Sequence, residues 1–355
     1  MEGEIKNLIL VWATTLVCLL YCHKINTNNK FMAFIPVFCI FIYLPSLLTS
    51  VHFAGTISFF ITWLANFKLL LFAFHKGPLF NSSNNKPLPL SKFILTSCLP
   101  IKISSSSSSS QKDGKKKLIM MMNYSVKFIV FVALLKVYEY GDQIHPLIKM
   151  SLFCVHIYVV LDMGLAFLAY MARSVLGLEL EPQFNEPYMA TSLQDFWGKR
   201  WNLMVTGILH PTVYIPVRLF LLNKKCTRNM AMLLAVMATF MVSGLMHELI
   251  FYYIGTRLKP PTWEVTCFFL THGVLLCAEL VLKRRLSFLR IPRMISGPLA
   301  LSVVMVTSFW LFFPPFLRCD TEVRSCQEFV AFLEFVIRGR FVASSDVSCP
   351  YFSTN

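Results

Sequence analysis

Apolar residues along this chain come in runs of about 20, the length at which a helix rising ~1.5 Å per residue crosses a bilayer's hydrocarbon. The runs cover residues 8–22, 31–50, 53–74, 118–138, 147–171, 230–254, 263–282 and 294–317. This pattern predicts an all-α polytopic membrane protein with about eight transmembrane helices in a single domain, residues 1–355. The first run lacks a small-residue cleavage site and a second span follows almost at once, so it reads as a helix and not as a signal peptide.

Three stretches depart from the pattern. Residues 75–117 carry Pro78, Pro87, Pro89 and Pro100, then Ser104 to Ser110 and the run Gln111-Lys112-Asp113-Gly114-Lys115-Lys116-Lys117. Such a tract buries too little to fold, and a flexible cytosolic linker is expected there. Residues 318–355 form a C-terminal tail whose Cys319, Cys326 and Cys349 allow one disulfide in an oxidising lumen. Between the fifth and sixth runs, Arg173 to Arg228 is the least apolar part after the linker. There Pro182 and Pro187 stop any helix, and Ser192 with Asp195 three residues on has the spacing of a capping box. Leu193, Phe196, Trp197, Trp201, Met204, Val205 and Ile208 then share one helical face, with Asp195, Lys199, Asn202 and Thr206 on the other. An amphipathic or re-entrant cytosolic segment is expected, its aromatic face at the headgroup boundary.

Composition fixes the class. The chain is 56% hydrophobic and 14% charged, with mean hydropathy +0.61. That is too few charges to coat a soluble globule of this size. The net charge of +15 does not indicate nucleic acid, because the basic residues sit between apolar runs and not on one folded face. Lys24 and Lys30, the lysine-rich linker, Lys199 to Arg228, and Lys283 to Arg293 occupy alternate loops. The bias of basic loops toward the cytosol places that side inside and both termini opposite, with the bilayer and its anionic headgroups as partners. Eleven cysteines show neither CxxC nor zinc spacing, so no metal is expected.

Some spans contain polar residues. Lys68, near a predicted cytosolic end, is expected to snorkel, and Asn66 to hydrogen-bond between helices. Lys136 and Glu139 are spaced to pair, whereas His156 and Asp162 point in different directions. The run 230–254 is more telling, for its second half contains Ser243-Gly244-Leu245-Met246-His247-Glu248. An ionised group at that depth costs ~2–4 kcal/mol, so a function is expected to offset it. On these residues alone the choice is between a buried catalytic base and the proton relay of a proton-coupled transporter. No internal repeat of the kind transporters often show is present.

Ala190 to Asn202, ATSLQDFWGKRWN, together with Ser243 to Glu248, resembles the membrane-bound O-acyltransferases (MBOAT superfamily). More closely, the chain is similar to the plant wax synthases, the long-chain-alcohol O-fatty-acyltransferases. Trp63 to Ala73, Glu179 to Asn185 and Met204 to Leu209 add to the likeness, which extends over nearly the whole chain outside Ser104 to Lys117. The resemblance implies an MBOAT-like fold, with Asn202 as the family's asparagine and His247 as its histidine. It also implies acyl transfer from fatty acyl-CoA, as co-substrate, to a long-chain fatty alcohol. A sterol is the alternative acceptor, since sterol acyltransferases belong to the same plant branch. His247 is then expected to act as general base and Asn202 to polarise the thioester carbonyl. Lys199 and Arg200 would meet the CoA phosphates, and Glu248, about 100° around the helix from His247, would take no part. The expected location is the endoplasmic reticulum membrane.

Overall fold

A computed structural model describes residues 2–25, 27, 29–81, 86–100, 113–140, 143–176, 182–255, 260–286 and 292–350. Every predicted apolar run is a helix in it. We number the principal helices α1 (Glu2–Lys24), α2 (Lys30–Leu47), α3 (Val51–Ala73), α4 (Leu90–Cys98), α5 (Asp113–Tyr138) and α6 (Pro146–Leu176). They continue as α7 (Leu203–Asn223), α8 (Arg228–Ile254), α9 (Glu264–Arg285), α10 (Arg293–Leu317) and α11 (Thr321–Arg338). Their starts lie where a side chain can accept an orphan N–H: Asn29 caps α2, Ser50 caps α3 and Thr227 caps α8. Among the described residues nine helices are long and apolar enough to cross a membrane, one more than the pattern predicted. The addition is α7.

Hydrogen bonds show which helix ends lie together. The Glu4 carboxylate accepts from the backbone N–H groups of Thr49 (2.7 Å) and Ser50 (2.8 Å). Arg324 donates to the carbonyls of Ile254 and Thr49, both at 2.9 Å, and Arg318 pairs with Glu264. The starts of α1, α3 and α9 and the ends of α2, α8 and α10 therefore share one side. On the other, Arg284 donates to the Asn229 side chain at 2.5 Å. Lys24, Lys30, Arg228, Lys283 and Arg293 all fall at this second, basic side, as the alternation of charged loops predicted.

The amphipathic segment does not lie flat. The side chain of Ser192 caps as expected, accepting from Asp195 N at 3.1 Å, but the helix it starts lasts only from Leu193 to Asp195 before loosening into a π-helical turn at Phe196–Arg200. Leu193 N donates to Glu279, six residues from the basic end of α9, while Trp197 packs edge-on against His272, deeper on the same helix. At Asn202 the chain takes a left-handed conformation (φ 41°) and reverses into α7, which returns antiparallel to α8 and ends at the basic side. The segment is a re-entrant arm. Its predicted lipid-facing aromatic residues pack inside the protein: Phe196 is buried and Trp201 stacks on it at 5.4 Å. Irregular backbone at membrane depth requires such cover. Several of its polar groups are met within the protein, by Leu203 N to Gln183 O (2.8 Å), Asn185 N to Arg200 O (2.9 Å) and Thr206 Oγ1 to Trp197 O (3.1 Å).

The linker reading of 75–117 needs correction where it is described. Residues 90–98 form α4 and bury Phe93, Thr96, Ser97 and Cys98. Its flanking prolines bracket the helix and do not prevent it. Lys68 consequently does not snorkel: it is fully buried, and its Nζ donates to the carbonyls of Thr96 (2.6 Å) and Leu99 (2.7 Å) at the end of α4. Asp113 to Lys117 belong to α5, and Ser104 to Ser110 lie outside the described residues. The tail is likewise ordered in part, by α11 and a Cys326–Cys349 disulfide.

Candidate active site

His247 lies on α8 about 27 Å from Asn229, which on a simple hydropathy picture would carry it past the midplane. The packing against α3 gives a different depth. The His247 ring meets the edge of Trp63 with centroids 4.8 Å apart, and Trp63 is the thirteenth of the 23 residues of α3. Ten residues of α3 follow Trp63, whereas nineteen of α8 precede His247, so α8 extends beyond α3 on the basic side. The imidazole lies level with the middle of α3.

Two contacts orient that ring. Nδ1 lies 2.7 Å from the carbonyl oxygen of Ser243, one turn earlier. A carbonyl only accepts, so Nδ1 carries the proton and Nε2 presents its lone pair. Phe269 covers the ring at 4.3 Å and Trp63 holds its edge. Nε2 makes no hydrogen bond among the described residues. Glu248, next in sequence, has a separate task. Its carboxylate accepts from Trp263 N (2.8 Å), Thr266 N (3.0 Å) and Thr266 Oγ1 (3.1 Å), capping the start of α9 from a neighbouring helix. The two are not a dyad, and Glu248 is not free to relay protons.

Asn202 reaches the same depth from the re-entrant arm. Its Oδ1 accepts from Val205 N at 3.4 Å, capping α7, while the amide nitrogen makes no hydrogen bond among the described residues. Both residues line one cavity of about 200 Å³, bounded by α7, α8, α9 and the π turn at Phe196–Arg200. Trp197, Trp201, Leu209, Phe240 and Phe269 give it largely apolar walls, and it runs along α8 from His247 to Val236, toward the basic side. The arrangement presents a proton acceptor and an N–H donor to one largely apolar space. Among the described residues no cluster of His, Cys, Asp or Glu could hold a metal ion.

The other two predicted site residues do not line the cavity. Arg200 is held by Asp195 (2.7 Å) and by the carbonyls of Asn185 and Glu186. That pairing, with the Thr191 N–H, outweighs burial and holds the Asp195 carboxyl below its usual range. Lys199 is exposed. Sequence reasoning missed His210 and Tyr214, which line the cavity, and Arg218 one turn further on. The Arg218 guanidinium is half-buried with no partner among the described residues. It also missed four π-helical stretches: Ser58–Ala65, Phe196–Arg200, His210–Tyr214 and Ser308–Phe312. Each supplies a cavity wall or a ring near His247, in keeping with the enrichment of π-bulges at functional sites.

The comparisons with known proteins define the family. The model of the membrane bound O-acyl transferase family matches residues 180–271, a span containing both Asn202 and His247. Three relatives match nearly end to end. Acyl-CoA–sterol O-acyltransferase 1 of Arabidopsis thaliana is 43% identical over 94% of this chain and 97% of its own. Probable long-chain-alcohol O-fatty-acyltransferase 1 of the same plant is 43% identical over 94% and 98%. The long-chain-alcohol O-fatty-acyltransferase of Simmondsia chinensis is 40% identical over 92% and 94%. A multi-pass helical protein with these matches is a membrane-bound O-acyltransferase. Within that superfamily, the chain belongs to the plant long-chain-alcohol O-fatty-acyltransferase (wax synthase) family.

Proposed function

We propose that this protein transfers the acyl group of a fatty acyl-CoA to the hydroxyl of a long-chain alcohol, giving a wax ester and free CoA, in the endoplasmic reticulum membrane. The observation that carries the reading is the orientation of His247. With Nδ1 committed to Ser243 O, Nε2 is the only imidazole nitrogen available as a base, and it shares a cavity with Asn202. The alcohol oxygen attacks the thioester carbon as Nε2 takes its proton. The C–S bond breaks, and the proton passes to the departing CoA sulfur. Asn202 has spent its oxygen on Val205 N, leaving its N–H groups to donate to the thioester carbonyl as negative charge develops there. No covalent enzyme intermediate is needed.

Both acyl chain and alcohol are apolar, so a cavity within the bilayer admits them and limits competing water. The CoA head stays at the basic side, which we place toward the cytosol. Arg200 is already paired, so exposed Lys199 and unpartnered Arg218, nearest the cavity's basic end, are the cations we assign to its phosphates. Microsomes containing the protein, given labelled acyl-CoA with equal fatty alcohol and sterol, test the reading. Labelled wax ester that disappears with His247→Ala is expected. Sterol ester alone would move the assignment to the sterol reading, which the 43% identical sterol acyltransferase favours. No ester from any acceptor would end the acyltransferase reading.

A further inference from the structure

Helix α11 is turned inside out for a helix bathed in water. Its charged face meets the protein: Arg324 binds the end of α8 and the loop before α3, and Glu328 accepts from Ser50 Oγ (2.8 Å), Val51 N (2.7 Å) and the His52 ring (2.7 Å) at the start of α3. Beside that face, about 100° round the helix, Phe329, Phe332, Leu333 and Val336 at i, i+3, i+4 and i+7 form one continuous stripe. These four are exposed, Phe332 by 57% and Val336 by 60%. A stripe of this size in contact with water would be costly, since each such side chain gains by leaving water.

The location of α11 says what covers the stripe. Arg324 and Glu328 are one turn apart, and both grip span ends on the side opposite the basic loops, so the helix runs across those ends. It is not among the candidate spans, and Glu322, Arg324, Glu328, Glu334 and Arg338 make it too charged to cross. Trp263, exposed at the start of α9 on the same side, marks the interface where tryptophan concentrates. We propose that α11 is an interfacial helix, its phenylalanine stripe sunk among the lipid acyl chains of the leaflet opposite the basic loops. The C-terminal region is thus a membrane-anchored strap that ties together the ends of α3 and α8, the helices that bring Trp63 to His247.

The test places a photoreactive benzoylphenylalanine at 329, 332 or 336, and in separate proteins at 327 or 334, in the full chain held in phospholipid nanodiscs. After irradiation, mass spectrometry of the protein reads the adducts. Phospholipid adducts at 329, 332 and 336, at least five-fold more abundant than at 327 and 334, are expected. A cross-linked dimer from the stripe positions would show that a second copy covers this face. Equal lipid labelling on both faces, or none on the stripe, would equally overturn the proposal.

Discussion

The chain places ionisable groups at membrane depth in two different ways. Between α5 and α6, Lys127 and Asp162 meet at 2.5 Å, both buried, with the Tyr124 and Tyr158 rings 5.2 and 5.5 Å from the ammonium. Each charge answers the other. At α8 the imidazole of His247 has one nitrogen tied to its own helix, while the other makes no hydrogen bond among the described residues and lies beside a cavity. Charge at depth is therefore no guide to chemistry in this molecule. The informative feature is an unspent hydrogen-bonding atom next to unfilled space. By that standard Lys68, which looks as exceptional in sequence as His247, is structural because both its identified acceptors are carbonyls at the end of α4.

Opposite consequences of substitution would sharpen the contrast. His247→Ala should lower ester formation about 10²–10⁴-fold, the usual worth of a positioned base, and leave thermal unfolding nearly unchanged. Lys127→Met should do the reverse, destabilising the protein by ~3–5 kcal/mol because Asp162 is left as a lone buried charge. The rate per folded molecule should stay within about two-fold of wild type. Adding Asp162→Leu should recover most of the stability, since an apolar pair replaces the ion pair. Unfolding curves and initial rates on the same preparations measure both. If Lys127→Met lowers the rate per folded molecule as far as His247→Ala does, the distinction fails.

A smaller effect separates the two tasks of Asn202. Glycine tolerates the left-handed backbone there, so Asn202→Gly keeps the reversal while removing the donor. We expect a loss of about 10²–10³-fold in kcat, the cost of one oxyanion donor, with only a few tenths of a kcal/mol lost as a cap. Comparable losses of rate and folded protein would mean that Asn202 acts only as a cap.

Much of this was open to sequence reasoning, and the gaps have physical causes. The eight spans were legible because a run of about 20 apolar residues has few other stable uses. His247 stood out because its insertion cost needs a return. The reversal at Asn202 was not legible, since it turns on one backbone conformation inside a sequence that also fits a continuous amphipathic helix. The seven apolar positions from Leu193 to Ile208 are those of such a helix, yet Leu193 and Trp197 before the break join one apolar cluster, while Met204, Val205 and Ile208 after it join others. Their spacing carried no sign of the divide. Helix α4 escaped notice for another reason: nine residues between prolines give too short a period to read, and the buried ammonium of Lys68 that closes it is a tertiary contact.

The smallest expected effect lies at the far end of α3, where a carboxylate satisfied by its neighbours can be set against the open imidazole. Burial pushes the Glu328 carboxyl up, but hydrogen bonds from the His52 ring and backbone, the Ser50 hydroxyl and the Val51 N–H outweigh it and hold the carboxyl below its usual range. A pKa lower in the folded than in the unfolded protein adds stability above the ordinary glutamate value of ~4.3, and that contribution is lost as pH falls through the folded value. Glu328→Gln should therefore cost about 1 kcal/mol at pH 7. The gap to wild type should narrow as pH falls below the ordinary glutamate value and through the lower folded one, as the glutamate is protonated and becomes uncharged like the glutamine. Thermal unfolding of the two proteins in nanodiscs across that range measures the gap. A gap that stays constant would show that the carboxylate's charge contributes nothing to holding α11 on the ends of the spans.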